Sequence, residues 1–117
     1  MRRVVVCPVG ELPPGRRSVV TVDRRQICIV NSGGRYYAIR DLCPHQGSAL
    51  SDGTVSGTML PSDPQRLAYG LDGRVIRCPW HAYEFDLETG RSLFDPDGVR
   101  VKTYPVRVED GLVVLDA

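Results

Sequence analysis

The sequence predicts an all-β protein, a small sandwich or barrel, on three observations. Its apolar runs are short and rich in β-branched residues. Twelve glycines and nine prolines break 117 residues too often for any long helix. Turn-forming dipeptides of the Asp-Gly and Gly-Gly kind separate several of the runs. A chain of this length holds one domain with a real core.

The elements follow in order. Val4 to Cys7 reads as a first strand; ended by Pro8, it is shorter than the roughly 7–15 apolar residues of an export signal. SVVTV (18–22), QICIVN (26–31) and YYAI (36–39) read as strands, with NSGG (31–34) as a hairpin turn. YGLDGRVI (69–76) reads as a further hairpin about Asp72-Gly73. YPVRV (104–108) and LVVL (112–115) flank Glu109-Asp110-Gly111, a closing hairpin. Both termini thus build a scaffold, and the middle third supplies loops.

Charge excludes several function classes. Fifteen Lys+Arg against fourteen Asp+Glu leave a net charge of +1, and the arginines are scattered along the chain. That pattern carries no footprint for nucleic acid or an anionic membrane. No apolar stretch approaches the ~18 residues of a membrane span. The expectation is a cytoplasmic protein with neither kind of partner.

Of the four cysteines, Cys7 and Cys28 lie in Val/Ile-rich runs, where a thiol behaves as a small buried hydrophobe. A reducing cytosol argues against disulfides. Cys43 and Cys78 sit instead in LCPHQGSAL (42–50) and RCPWHAYEF (77–85), which also hold the only two histidines. The pattern is Cys43-x-His45, then 32 residues, then Cys78-x-x-His81. Two thiolates and two imidazoles suit zinc or an iron–sulfur cluster. Structural zinc sites mostly pair like ligands, Cys with Cys and His with His. Mixed pairs suit a two-iron cluster in which two histidines replace two cysteines on one iron.

CPHQGSAL and CPWHAYEFD resemble the two cluster-binding boxes of Rieske ferredoxins and of the N-terminal domains of Rieske oxygenases. VGELPPG (9–15), YYAI before the first box and the closing hairpin keep the same chain order, so the resemblance covers nearly the whole chain. It implies a single Rieske domain over 1–117: an antiparallel β-sandwich base at 1–40 and 93–117, and a cluster-binding subdomain of loops and short strands at 41–92. It further implies one Rieske-type [2Fe–2S] cluster per chain, with Cys43, His45, Cys78 and His81 as ligands and the imidazoles bound through Nδ1. Gly47, Trp80, Tyr83 and Phe85 would surround it. Pro44 and Pro79 stiffen the loops. Gly47 lets backbone N–H groups approach the sulfides, although an ordinary turn accounts for it equally well.

The resemblance also sorts subtypes. Respiratory-chain members carry an extra cysteine in each loop; here Ser48, or a near neighbour, and Trp80 hold the corresponding places. Oxygenase subunits add a mononuclear iron held by two histidines and a carboxylate, and both histidines of this chain are already taken. The expectation is therefore an electron carrier and not an enzyme. It would take electrons from a flavoprotein NAD(P)H reductase and pass them to a Rieske oxygenase or similar oxidoreductase. The alternative is a small Rieske subunit of a multi-subunit oxygenase or nitrite reductase-like complex; a zinc-stabilised interaction module is the third reading.

Two departures remain. The spacing between boxes is about twice the family's, with the excess near TMLPSDPQRLAYGLDG (58–73); it is expected to be a surface hairpin, with a partner-docking excursion as the alternative. High-potential members have serine and tyrosine two and four residues after the second histidine ligand, where this chain has Tyr83 and Phe85. A potential in the lower part of the roughly −150 to +300 mV Rieske span is expected.

Overall fold

The computed structural model describes residues 2–44, 49–60, 68–78, 84–93, 95 and 97–117. Among them ten strands form three antiparallel sheets. The first joins β1 (Arg3–Pro8), β10 (Leu112–Asp116) and β9 (Val106–Glu109) in that order. The second runs β2 (Arg17–Val22), β3 (Arg25–Ser32), β4 (Arg35–Arg40), β8 (Thr103–Tyr104). The third runs β5 (Thr54–Leu60), β6 (Ala68–Arg77), β7 (Glu84–Asp86). Single 3-10 turns at Val9–Glu11 and Leu50–Asp52 complete it, and no helix among the described residues is long and apolar enough to cross a membrane.

The second sheet lies between two cores, and β3 shows why. Its residues alternate, as strand geometry demands. Ile27 and Ile29 enter one core with Leu12, Ala38, Tyr104, Val113 and Leu115. Cys28 and Val30 enter the other with Ile39, Cys43, Leu50, Ile76, Cys78, Phe85, Leu87 and Val101. A strand buried on both faces must read as an unbroken apolar run, and Ile-Cys-Ile-Val is one.

Several expected boundaries move. YPVRV is two strands and not one. Pro105 has no N–H to continue a ladder, so Tyr104 pairs with Ala38 in the second sheet while Val106 pairs with Leu115 in the first. That proline is where the chain changes layers. Asp72-Gly73 is no hairpin turn either: β6 runs through it, and the register jumps from Ser56↔Val75 to Thr58↔Gly70. The extra residues make a wide bulge, with Gly73 at φ +73° and a side chain excluded by Ser32 Oγ, 2.5 Å from where a Cβ would be. The hairpin in this stretch is the larger one between β5 and β6, paired out to Leu60↔Ala68. The β2–β3 turn, Asp23-Arg24, has both residues at positive φ (48° and 67°) without a glycine to announce it. Cys7 is half-buried where full burial was expected, because a register irregularity between Val5 and Cys7 interrupts β1.

Candidate metal centre

Each of the two cysteine–histidine segments leaves the end of a strand and is closed at its neck by named contacts. Cys43 follows β4 after three backbone bonds that fix the approach: Arg40 N–H to Lys102 O (2.8 Å), Asp41 N–H to Gln26 O (2.8 Å) and Leu42 N–H to Arg40 O (2.9 Å). The buried Asp41 carboxylate then reaches across to the far side of the segment. It accepts from Ser51 N–H (2.6 Å) and from Ser51 Oγ–H (2.7 Å). Arg17, on β2, donates to Ser51 O (2.9 Å) and Gly53 O (2.8 Å). One guanidinium thus ties the neck to the second sheet.

The second segment is shorter. Cys78 comes directly after β6, β7 begins at Glu84, and the Arg77↔Glu84 pair closes the loop between them. The same Arg77 pairs on its other side with Thr54, at the start of β5. The two necks are therefore stitched together. Gly53 shows how tightly: a Cβ there would lie 1.9 Å from Arg77 O. Its φ of −83° and ψ of −177° suit any residue, so close approach alone explains the glycine.

These necks deliver Cys43 and Cys78, each about 1% exposed, into one apolar core. Phe85 is completely buried in that core, beside Ile76, Leu87 and Val101. His45, Gly47, Trp80, His81 and Tyr83 lie outside the described residues. Cys28 belongs to the same core, on β3 and outside both cysteine–histidine segments. Burial pushes its thiol up to about 12, the Asp41 carboxylate adds to that, and Arg17 opposes it. A metal ligand must be the thiolate.

Asp41, Ser51, Arg17 and Gly53 carry this architecture, and none of them stands out in the sequence. The Asp-Gly dipeptide at 52–53 was the one available signal, and it reads as a turn and not as a close approach.

The residues of 2–105 match the family model described as the Rieske [2Fe-2S] domain. The chain belongs to this family. The ferredoxin subunit of 3-phenylpropionate/cinnamic acid dioxygenase from Escherichia coli (strain K12) is 34% identical over 117 residues, covering 99% of this chain and 94% of that one. Among solved structures, the ferredoxin of carbazole 1,9a-dioxygenase from Nocardioides aromaticivorans IC177 is 26% identical and has a TM-score of 0.76, over 98% of this chain and 97% of that one. A chain in the complex of reduced oxygenase and oxidized ferredoxin of carbazole 1,9a-dioxygenase is 29% identical with a TM-score of 0.74, over 97% and 91%.

Membership implies a [2Fe–2S] cluster, and the described residues fit one. Two soft sulfur donors converge in a water-poor core whose entrances are fixed by hydrogen bonds, which suits iron–sulfur ligation. Apolar lining around such donors limits solvent access and so bears on potential.

Proposed function

We propose that this chain is the ferredoxin component of an oxygenase system, carrying one electron at a time from a flavoprotein NAD(P)H reductase to a Rieske oxygenase. Cys43 and Cys78 would hold one iron, and His45 and His81 the other. When bound, the cluster takes up and returns a single electron. The protein's part is to keep its donors still: Asp41 and Arg17 fix the first neck, Arg77 and Gly53 lock it to the second, and little can move when charge changes. We take residues 41–92 to act as the cluster-binding unit on a base formed by 1–40 and 93–117, in the cytoplasm.

The observation that carries this reading is the convergence of Cys43 and Cys78, 35 positions apart in the chain, in a single buried core. The ferredoxin relatives and the oxygenase–ferredoxin complex support the acceptor; the absence of a third histidine in the sequence supports a carrier that turns over no substrate.

Spectroscopy and turnover together test it. The holoprotein should be red-brown, with two irons and two sulfides per chain, and should give an EPR signal of a mixed-ligand two-iron cluster on reduction. Colourless protein containing zinc would refute the cluster. With a flavoprotein reductase and NADH alone it should consume oxygen only as fast as the reduced cluster autoxidises. Stoichiometric hydroxylation of an aromatic compound under those conditions would show an enzyme and not a carrier.

A further inference from the structure

The arginines that the sequence scatters are gathered by register onto one face. The β4–β8 pairing, Ala38↔Tyr104 and Ile39↔Thr103, continues as Arg40 opposite Lys102, with Arg40 N–H bonded to Lys102 O (2.8 Å). On the far edge of that segment Arg91 bridges Arg100. The flanking bonds, Val101 N–H to Gly90 O and Ser92 N–H to Val99 O, make Arg91 and Arg100 a non-hydrogen-bonded pair, the kind that brings side chains closest. Opposed residues share a face and alternate residues share a face. Arg40, Lys102, Arg100 and Arg91 therefore stand in one row across three adjacent segments. Arg25, stacked 5.6 Å from the Tyr104 ring centroid, adds a fifth cation at its end.

Two like-charged pairs directly opposite one another cost stability, and among the described residues no acid side chain pairs with them. Arg2, Arg3, Arg74, Arg77 and Arg107 all meet acids. Among the described residues, Arg40, Arg91, Arg100 and Lys102 meet none within ion-pair distance. These four charges alone exceed the chain's whole net charge of +1. Arg91, Arg100 and Lys102 are exposed. A groove of about 440 Å³ runs beside Arg100 and Lys102, with Thr89 and Thr103 on its walls, a place for carboxylates.

Position turns a charged face into a functional one. Val101, between Arg100 and Lys102, points the other way, into the core that holds Cys43 and Cys78. The row thus lies on the face opposite that core, and Arg40 precedes Cys43 by three residues.

We propose that this row is a docking face for the acidic surface of a redox partner protein. The proposal rests on the electron-carrier reading above. Complementary charge would steer encounter and orient the complex, with the cysteine core behind the same strand.

Two haem proteins of opposite charge serve as probes: soluble cytochrome b5, whose haem edge is acidic, and cytochrome c, whose haem edge is basic. Reduced, desalted holoprotein is mixed with each ferric cytochrome, and one electron passes from cluster to haem iron. The test variant is Arg91→Gln/Arg100→Gln/Lys102→Gln, which keeps both cysteines and both necks. It should slow reduction of cytochrome b5 about tenfold at low salt. The difference should vanish at high salt, while the cytochrome c rate holds or rises. Because the variant removes an opposed arginine pair, its melting temperature should be equal or higher. A cytochrome b5 rate within twofold of wild type, or an equal loss with both cytochromes, would overturn the docking face. So would equal cytochrome rates combined with loss of wild-type retention on duplex DNA, which would assign the row to polyanions. Failure of the wild type to reduce either cytochrome would instead sink the carrier reading itself.

Discussion

Gly53→Ala is the sharpest test of how the two cysteine–histidine segments are held. On backbone conformation alone the change is harmless, and removing a glycine should even stabilise slightly. Sterics say the opposite. The new Cβ would lie 1.9 Å from Arg77 O and 3.0 Å from Leu50 O, and contacts under 3.0 Å are essentially never seen. The obstacle at 1.9 Å is backbone, so the neck must open by more than an ångström. Overpacking of that kind costs roughly 1–3 kcal/mol. Disturbing the Thr54↔Arg77 pairing should forfeit a ladder bond or two, at about 1 kcal/mol each. A total of about 2–5 kcal/mol is a large share of the stability of a small domain. At roughly 4 °C per kcal/mol, the melting temperature should fall by about 8–20 °C. Iron and sulfide per chain should fall too, since Cys78 directly follows the displaced strand. The assay is differential scanning calorimetry with metal analysis, and Gly10→Ala is the control, with nothing within 4 Å of its would-be Cβ. If Gly53→Ala keeps its full cluster and melts within a few degrees of wild type, the stitched-neck argument is wrong.

Asp41→Ala removes both acceptors of Ser51, and at about 1.5–3 kcal/mol per charge-assisted bond it should cost more than Ser51→Ala, which removes one; chemical denaturation and the rate of iron loss to a chelator should rank them in that order. For Cys28, the unfolded thiol releases its proton from its ordinary value of 9.0 and the folded one only near 12. The folded state therefore holds more protons between those values, so the stabilisation is complete below pH 9 and drains at up to about 1.4 kcal/mol per pH unit above it. Cys28→Ser should keep its iron and show a shallower alkaline loss of stability; loss of iron from this variant, with retention in Cys78→Ser, would reverse the ligand assignment. Phe85 lacks a hydroxyl inside the cysteine core, so Phe85→Tyr should raise the reduction potential if the new O–H donates to a ligand sulfur. A bond stronger by about 1 kcal/mol in the reduced state corresponds to about 40 mV for one electron. Protein-film voltammetry reads that shift, and a fall in potential would contradict it.

What could be read from the sequence was whatever local chemistry dictates. A strand buried on both faces favours an unbroken apolar run, so Ile27 to Val30 announces itself. Asp110-Gly111 marks a hairpin because its φ values, 50° and 74°, need residues that tolerate them. The two Cys/His boxes stand out because thiols and imidazoles placed in proline-stiffened loops have few other uses. The errors came where a local pattern had two outcomes. Asp72-Gly73 serves a bulge as well as a turn, and Tyr104 to Val108 alternates correctly for a strand although Pro105 divides it between sheets.

Other features needed the third dimension. Nothing near position 17 or 53 in the chain says that an arginine will clamp Ser51 O or that a glycine will meet the Arg77 carbonyl. Both depend on segments tens of residues apart coming into contact. The cationic row is the clearest case. Its members, at 25, 40, 91, 100 and 102, look dispersed along a nearly neutral chain. Strand register alone aligns them, because a shift of one residue would turn each side chain to the opposite face. Residue chemistry by itself marked β1 to β4 and the closing hairpin, and the side chains that suit a metal. Pairing between distant strands decided what those side chains stand beside, since register is set by burial across the whole sheet and not by any one segment.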